Sequence, residues 1–234
     1  MKTRIQVWDL PTRLFHWCLS IAVFYSWLSI EILENMQHHF YAGYSILTLL
    51  LFRLVWGFIG SRYSLFKSCI HPFSELFSYA KNLLKPSGKH YLGHNPIGGL
   101  SAILMIILLL GQALLGLFSS DDYFFGPLSG IVSSEIITTA SEYHSLNSNA
   151  IYALIGIHIC AIIYYKFRKK EALTSAMITG SKSVLNNHEA VSAKSNKSAN
   201  SILALIVFLI CVAGIYWLTT AFIDSLPTPS ESYY

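Results

Sequence analysis

Five stretches of about twenty apolar residues dominate this 234-residue chain, and they restrict it to folds that a lipid bilayer accepts. They cover residues 14–32, 40–59, 97–118, 147–165 and 201–223, and the third and fifth contain no charged residue. At a rise of about 1.5 Å per residue, some twenty residues cross a hydrocarbon core about 30 Å thick. A helix also satisfies its backbone polar groups without water, so the sequence predicts an all-α integral membrane protein. Composition agrees: 53% of residues are hydrophobic and only 12% charged, about half the charge of a soluble domain. This excludes a nucleic-acid-binding module, a disordered chain and a disulfide-rich secreted fold. The four cysteines (Cys18, Cys69, Cys160, Cys211) form no C-x-x-C pair, which argues against both a zinc site and covalent haem attachment.

The loops give the orientation. Residues 1–13, 60–96 and 166–200 hold 15 of the 16 Lys and Arg, and Arg53 is the sixteenth. The alternate segments, with Glu31 at the edge of the first span, hold eight acids and no Lys or Arg. By the positive-inside rule the N-terminus is cytoplasmic and the C-terminus external. Lys2, Arg4 and Arg13 precede the first span as in a signal peptide, but no small-x-small cleavage site follows, so it is read as an uncleaved helix. Residues 1–180 are expected to form a four-helix domain, 181–200 a flexible cytoplasmic linker rich in Ser, Asn and Lys, 201–223 a fifth transmembrane helix and 224–234 an external tail. Asn95-Pro96 reads as a cap and first-turn proline opening the third span. The aromatic-rich stretch 63–90 reads as an amphipathic helix along the cytoplasmic interface.

Ionisable residues inside spans are costly and carry function by default. His16 lies in the first cytoplasmic turn of the first span, His38 and His39 at the outer start of the second, and His144 and His158 on the fourth. Fourteen residues separate His144 from His158, about four turns less 40°, so both face one side about 21 Å apart. Two ligands so separated suit two stacked cofactors. His39 or His38 matches the depth of His144, and His16 that of His158, which gives two bis-imidazole sites of the kind non-covalent b-type haem requires. Gly43, four residues after His39, and Gly156, two before His158, leave room for a macrocycle. Arg53, fourteen residues after His39, falls beside the inner site, where it would pair with a haem propionate; the alternative is snorkelling to the cytoplasmic interface. Gly98, Gly99, Gly111 and Gly116 serve either helix packing or cofactor approach.

The stretches Val7-Trp8-Asp9 through Arg13-Leu14-Phe15-His16-Trp17, His39–Gly43, Arg53–Arg62, Tyr91–Pro96, the His144/His158 pair and Ala176–Gly180 occur in the order found in a known family. The chain resembles the bacterial cytochrome b561 family, which includes the b-type cytochrome subunits of nickel–iron hydrogenases. The resemblance implies a four-helix dihaem bundle with two haems b, the outer one held by His39 and His144 and the inner by His16 and His158. His38 directly before His39 departs from the pattern, and the Gly43 spacing selects His39. The fifth helix lies outside the resemblance.

With the resemblance, the expectation is a multi-pass protein of the bacterial inner membrane that carries electrons between the quinone pool and a periplasmic partner such as a c-type cytochrome. The external acids suit a basic partner. Any enzymatic activity would be quinol oxidoreduction, with His94, Asn95 and Arg13 near the inner haem as candidates for a quinone or proton site. Two alternatives stand beside this reading. One is a membrane-anchor cytochrome b of a hydrogenase or similar dehydrogenase. The other is a non-redox transporter with proton-transferring histidines.

Overall fold

The structure, a computed structural model, describes residues 3–83, 91–121, 123–184 and 199–222. It is helical apart from one small sheet, and five of its helices are long and apolar enough to cross a membrane. In chain order the elements are β1 (Thr3–Gln6), α1 (Leu10–Glu31), α2 (Met36–Ile59), α3 (Phe73–Lys81), α4 (Pro96–Phe118), α5 (Ser134–Tyr164), α6 (Leu173–Thr179), β2 (Ser181–Val184) and α7 (Ser201–Trp217). Wide turns of π type extend α5 over Tyr165–Lys169 and α7 over Leu218–Phe222. Many large apolar side chains on these helices are exposed, among them Ile21, Phe24, Phe58, Ile107, Leu205 and Ile210. Water would penalise such a surface, and lipid does not.

Three boundaries differ from the sequence reading. The fourth span was expected over 147–165, but α5 starts at Ser134, so His144 sits in its third turn rather than at its start. Residues 134–146 are polar yet contain no Gly or Pro, so nothing interrupts the helical ladder there. The linker was expected from residue 181, but 181–184 form β2, antiparallel to β1 with Gln6 opposite Ser181. Residues 185–198 lie outside the described residues, as do the tail from 223, His90, His188 and Asp122. The interfacial helix expected over 63–90 is shorter: one tight turn at Phe66–Ser68, then α3 after Pro72.

The chain divides into two compact units: residues 1–17, 53–105 and 153–205 in the first, and 18–52, 106–152 and 206–234 in the second. The first is organised around Asp9. Its Oδ1 accepts the Thr12 backbone N–H at 2.7 Å, capping α1. Its Oδ2 accepts Trp56 Nε1–H at 3.2 Å and the Ser61 hydroxyl at 2.5 Å, both from the end of α2 and the turn after it. Burial pushes this carboxyl's pKa up, but the hydrogen bonds from Ser61, Thr12 and Trp56 outweigh burial and hold it below its ordinary value. The N–H groups of Val7 and Trp8 both donate to the Gly180 carbonyl, and Arg13 donates to the Ile178 carbonyl at 2.6 Å. Gly180 needs its identity twice over: its φ is +81°, and a Cβ there would meet the Trp8 carbonyl oxygen at 2.8 Å.

The second unit packs α7 against the helices before it. Ile215 joins Leu47 of α2, Leu117 of α4 and Leu128 in one buried cluster. Phe208 meets Phe52 edge-on with ring centres 6.1 Å apart.

Replacing Asp9 by Ala removes a helix cap, worth about 1 kcal/mol, and takes the carboxylate acceptor away from Trp56 Nε1–H and the Ser61 hydroxyl. The expected cost is about 2–4 kcal/mol, seen as a lower thermal midpoint in detergent, whereas Leu10→Ala at an exposed position leaves the midpoint nearly unchanged.

Candidate functional site

In the second unit, His39 of α2 and His144 of α5 face each other with ring centres 6.2 Å apart and ring planes 79° apart. Each spends its Nδ1–H on main chain: His39 on the Ser26 carbonyl at 3.1 Å, His144 on the Gln112 carbonyl at 3.1 Å. That hydrogen bond selects the tautomer whose Nε2 carries a lone pair, the usual arrangement for metal-ligating histidines. These two nitrogens would hold a haem iron, which would supply a one-electron couple there. No third His, Cys, Asp or Glu joins them among the described residues, which suits a cofactor that brings its own equatorial ligands.

Around the pair lies a cavity of about 370 Å³, whose lining includes Ser26, Gly43, Gln112 and Gly116. A Cβ on Gly43 would have no atom within 4 Å, so the missing side chain opens space into the cavity. Gly116 acts differently: a Cβ there would come within 3.0 Å of the His144 ring. Asn147, one turn beyond His144, donates to the Leu108 carbonyl at 2.9 Å and to Gln112 Oε1 at 2.8 Å, fixing the α4 segment that holds His144. Ser26, Gln112, Gly116 and Asn147 were not predicted to orient the ligands. Gln112, a lone amide in an uncharged span, was the available signal. His38 turns the other way. Its Nδ1 hydrogen-bonds the Tyr25 hydroxyl at 2.9 Å and its ring stacks on Tyr25, as the 100° step between neighbours on a helix requires.

The first unit gathers His16 of α1, His158 of α5 and Arg53 of α2. His16 and His158 are close enough to interact electrostatically, and a Cβ on Gly156 would meet nothing within 4 Å. Arg53 is 5% exposed, so it does not snorkel. Its guanidinium lies 4.7 Å from the Phe66 ring centre and 5.9 Å from that of Phe15. Its Nη1 is buried with no hydrogen-bond partner among the described residues. A buried donor of this kind suits a carboxylate such as a haem propionate. Phe66 reaches Arg53 because Gly57, one turn on, has no side chain to block the ring.

His94 and Asn95 lie in the same unit at the start of α4. The His94 ring meets Trp8 edge-on at 4.8 Å, and its Nδ1 is 3.4 Å from the Cys69 Sγ. Burial, reinforced by Arg53, Lys182, His71 and His158, pushes its pKa down from 6.5 to about 3, so it is neutral near pH 7. Asn95 Oδ1 caps α4 by accepting the Gly98 N–H at 2.8 Å, and Nδ2 donates to the Tyr165 hydroxyl at 3.1 Å. Arg13, expected near the inner cofactor, has its Nη1 committed to Ile178; its buried Nε has no partner among the described residues. Gly99 packs so closely on the Cys69 carbonyl that its role is helix packing, while a Cβ on Gly111 would meet nothing within 4 Å.

A family model described as prokaryotic cytochrome b561 matches residues 7–180. The chain belongs to this family. Relatives described as probable Ni/Fe-hydrogenase B-type cytochrome subunits include one from Azotobacter vinelandii, 27% identical over 217 residues and covering 76% of this chain and 88% of the relative. Another, from Rhodobacter capsulatus, is 24% identical over 218 residues, covering 76% and 81%. No solved structure matches the chain. As a cytochrome b561 family member the protein is a multi-pass bacterial membrane b-type cytochrome, which implies haem b, and the transporter alternative falls away.

Two outcomes test this geometry. Gly43→Leu should leave the protein folded but cut its haem content, measured as absorbance per chain, because the side chain enters the cavity. For His94 the folded pKa lies below the ordinary value, so its contribution to stability is full above about pH 6.5 and is lost as pH falls toward 3. The thermal midpoint should therefore drop over that interval, and less steeply in His94→Gln.

Proposed function

We propose that this cytochrome b561 family member is a dihaem electron carrier linking the quinone pool to a redox partner on the external side. The observation that carries the proposal is the facing pair His39 and His144, each with Nδ1–H donated to a backbone carbonyl. In this reading His39 and His144 ligate the outer haem and His16 and His158 the inner. A bound haem supplies a one-electron iron couple, and the chain does the rest. Ser26 and Gln112 lock the orientation of the outer imidazoles. Gly43 and Gly156 make room for the ring. Arg53 receives a propionate of the inner haem, and Arg13 steadies α1 through Ile178. Burial among apolar side chains keeps water from the iron and helps set its potential.

His94 and Asn95 are the proposed quinone or proton site near the inner haem. His94 is neutral at pH 7, and Asn95 is held by Gly98 and Tyr165. For the external partner, the names of the relatives favour a hydrogenase, with this chain as its membrane-anchor cytochrome. A c-type cytochrome is the second reading, supported by the eight external acids and the absence of external Lys or Arg in the sequence.

The test is a reduced-minus-oxidised spectrum of the detergent-purified protein with pyridine haemochrome quantification. Two haems b per chain are expected, falling to one in His39→Ala and in His158→Ala and staying at two in His38→Ala. One haem in the unaltered protein, or loss of haem in His38→Ala with retention in His39→Ala, overturns the assignment.

A further inference from the structure

The two units carry opposite charge. Among the described residues the first holds eleven Lys and Arg against Asp9, Glu75 and Glu171, a formal balance of +8, and the second holds five acids and no Lys or Arg, a balance of −5. The contrast holds at the sites themselves. Arg53 is buried in the first unit and forms no ion pair with an acid among the described residues. Asp9, a buried carboxylate close enough to act on Arg53, keeps its charge while accepting from Thr12, Trp56 and Ser61, and so offsets part of the arginine's. In the second unit, Glu31 and Asp121 line the cavity that holds His39 and His144. The side chains there able to become positive are His38, His39 and His144.

Reduction adds an electron to iron, so a positive charge nearby favours the reduced form and a negative charge the oxidised form. Buried charges act through a low dielectric, whereas exposed ones are screened by water and salt. Arg53, by offsetting the charge of the propionate it receives, therefore acts more strongly than the surface lysines, and Glu31 and Asp121, both exposed, have a weaker effect of opposite sign.

Resting on the two-haem reading above, we infer that Arg53 makes the His16/His158 site the higher-potential of the two, so that an electron entering at the His39/His144 site runs downhill to it. One electron leaves the iron held by His39 and His144, which is oxidised, and arrives at the iron held by His16 and His158, which is reduced; no bond forms or breaks. The donor to the first is the external partner, and the acceptor from the second is a quinone, which takes up two electrons and two protons in two such passages.

The experiment is an optical potentiometric titration of the purified, haem-loaded full chain. Two one-electron components are expected. His144→Ala removes the lower one, and its removing the upper one instead overturns the inference. Arg53→Gln lowers the reduced-to-oxidised ratio of the upper component about tenfold at fixed potential, a shift of about 59 mV, and leaves the lower component in place. Arg53→Lys, which keeps the charge, shifts it less. Glu31→Gln raises the ratio of the lower component about twofold. If Arg53→Gln fails to retain haem, His144→Ala and Glu31→Gln decide by the same criteria. Two haems per chain with an upper component indifferent to Arg53→Gln refutes the inference and leaves the two-haem reading standing. Fewer than two haems in the unaltered chain refutes both.

Discussion

The carboxylate of Asp9 joins segments far apart in the sequence. One oxygen stops α1 at its N-terminus, and the other receives Trp56 and Ser61 from the end of α2. Three charge-assisted hydrogen bonds on a residue 5% exposed are strong because little water competes for them. Their geometric consequence is larger than their energy. They fix the rotation of α1, and hence the bearing of Phe15 and His16. They also fix the last turns of α2, and hence the depth of Arg53. Gly60 takes part because a Cβ there would strike the Ser64 hydroxyl and the Trp56 carbonyl. The tight turn at 60–64 thus brings Ser61 back toward Asp9.

The spans and the histidine spacing were legible because each depends on local composition or helix periodicity. The fourteen-residue interval between His144 and His158 needs only 3.6 residues per turn. What was not legible depended on partners distant in sequence. Residues 181–184 are polar and look like linker, yet they pair with Thr3–Gln6. The start of α5 was missed because 134–146 is helical without being apolar, and a hydropathy window registers only the membrane-embedded part. The choice between His38 and His39 required knowing what each ring meets: Tyr25 for one, His144 for the other.

The two candidate sites are held by different means. In the second unit the imidazoles are oriented by backbone carbonyls, which carry no net charge and suit a unit without Lys or Arg. Two side-chain amides in that scaffold take part, Asn147 donating to Gln112 Oε1 and to the Leu108 carbonyl, which adds rigidity without burying charge. In the first unit a full cation is buried, and the cost of desolvating it must be offset.

The aromatic rings beside Arg53 show how that offset leaves the residue able to act. Phe66 and Phe15 lie near the guanidinium at 4.7 and 5.9 Å from their ring centres, and cation–π attraction recovers part of the lost hydration. Guanidinium donors lie in its plane, so stacked aromatic contacts need not consume them. The in-plane N–H groups then remain for an acceptor in a fork geometry that matches a carboxylate. Lysine could supply the charge here but neither the flat surface for the rings nor the paired donors. This argues that the position calls for arginine because it must be buried by aromatics and bind an anion at once.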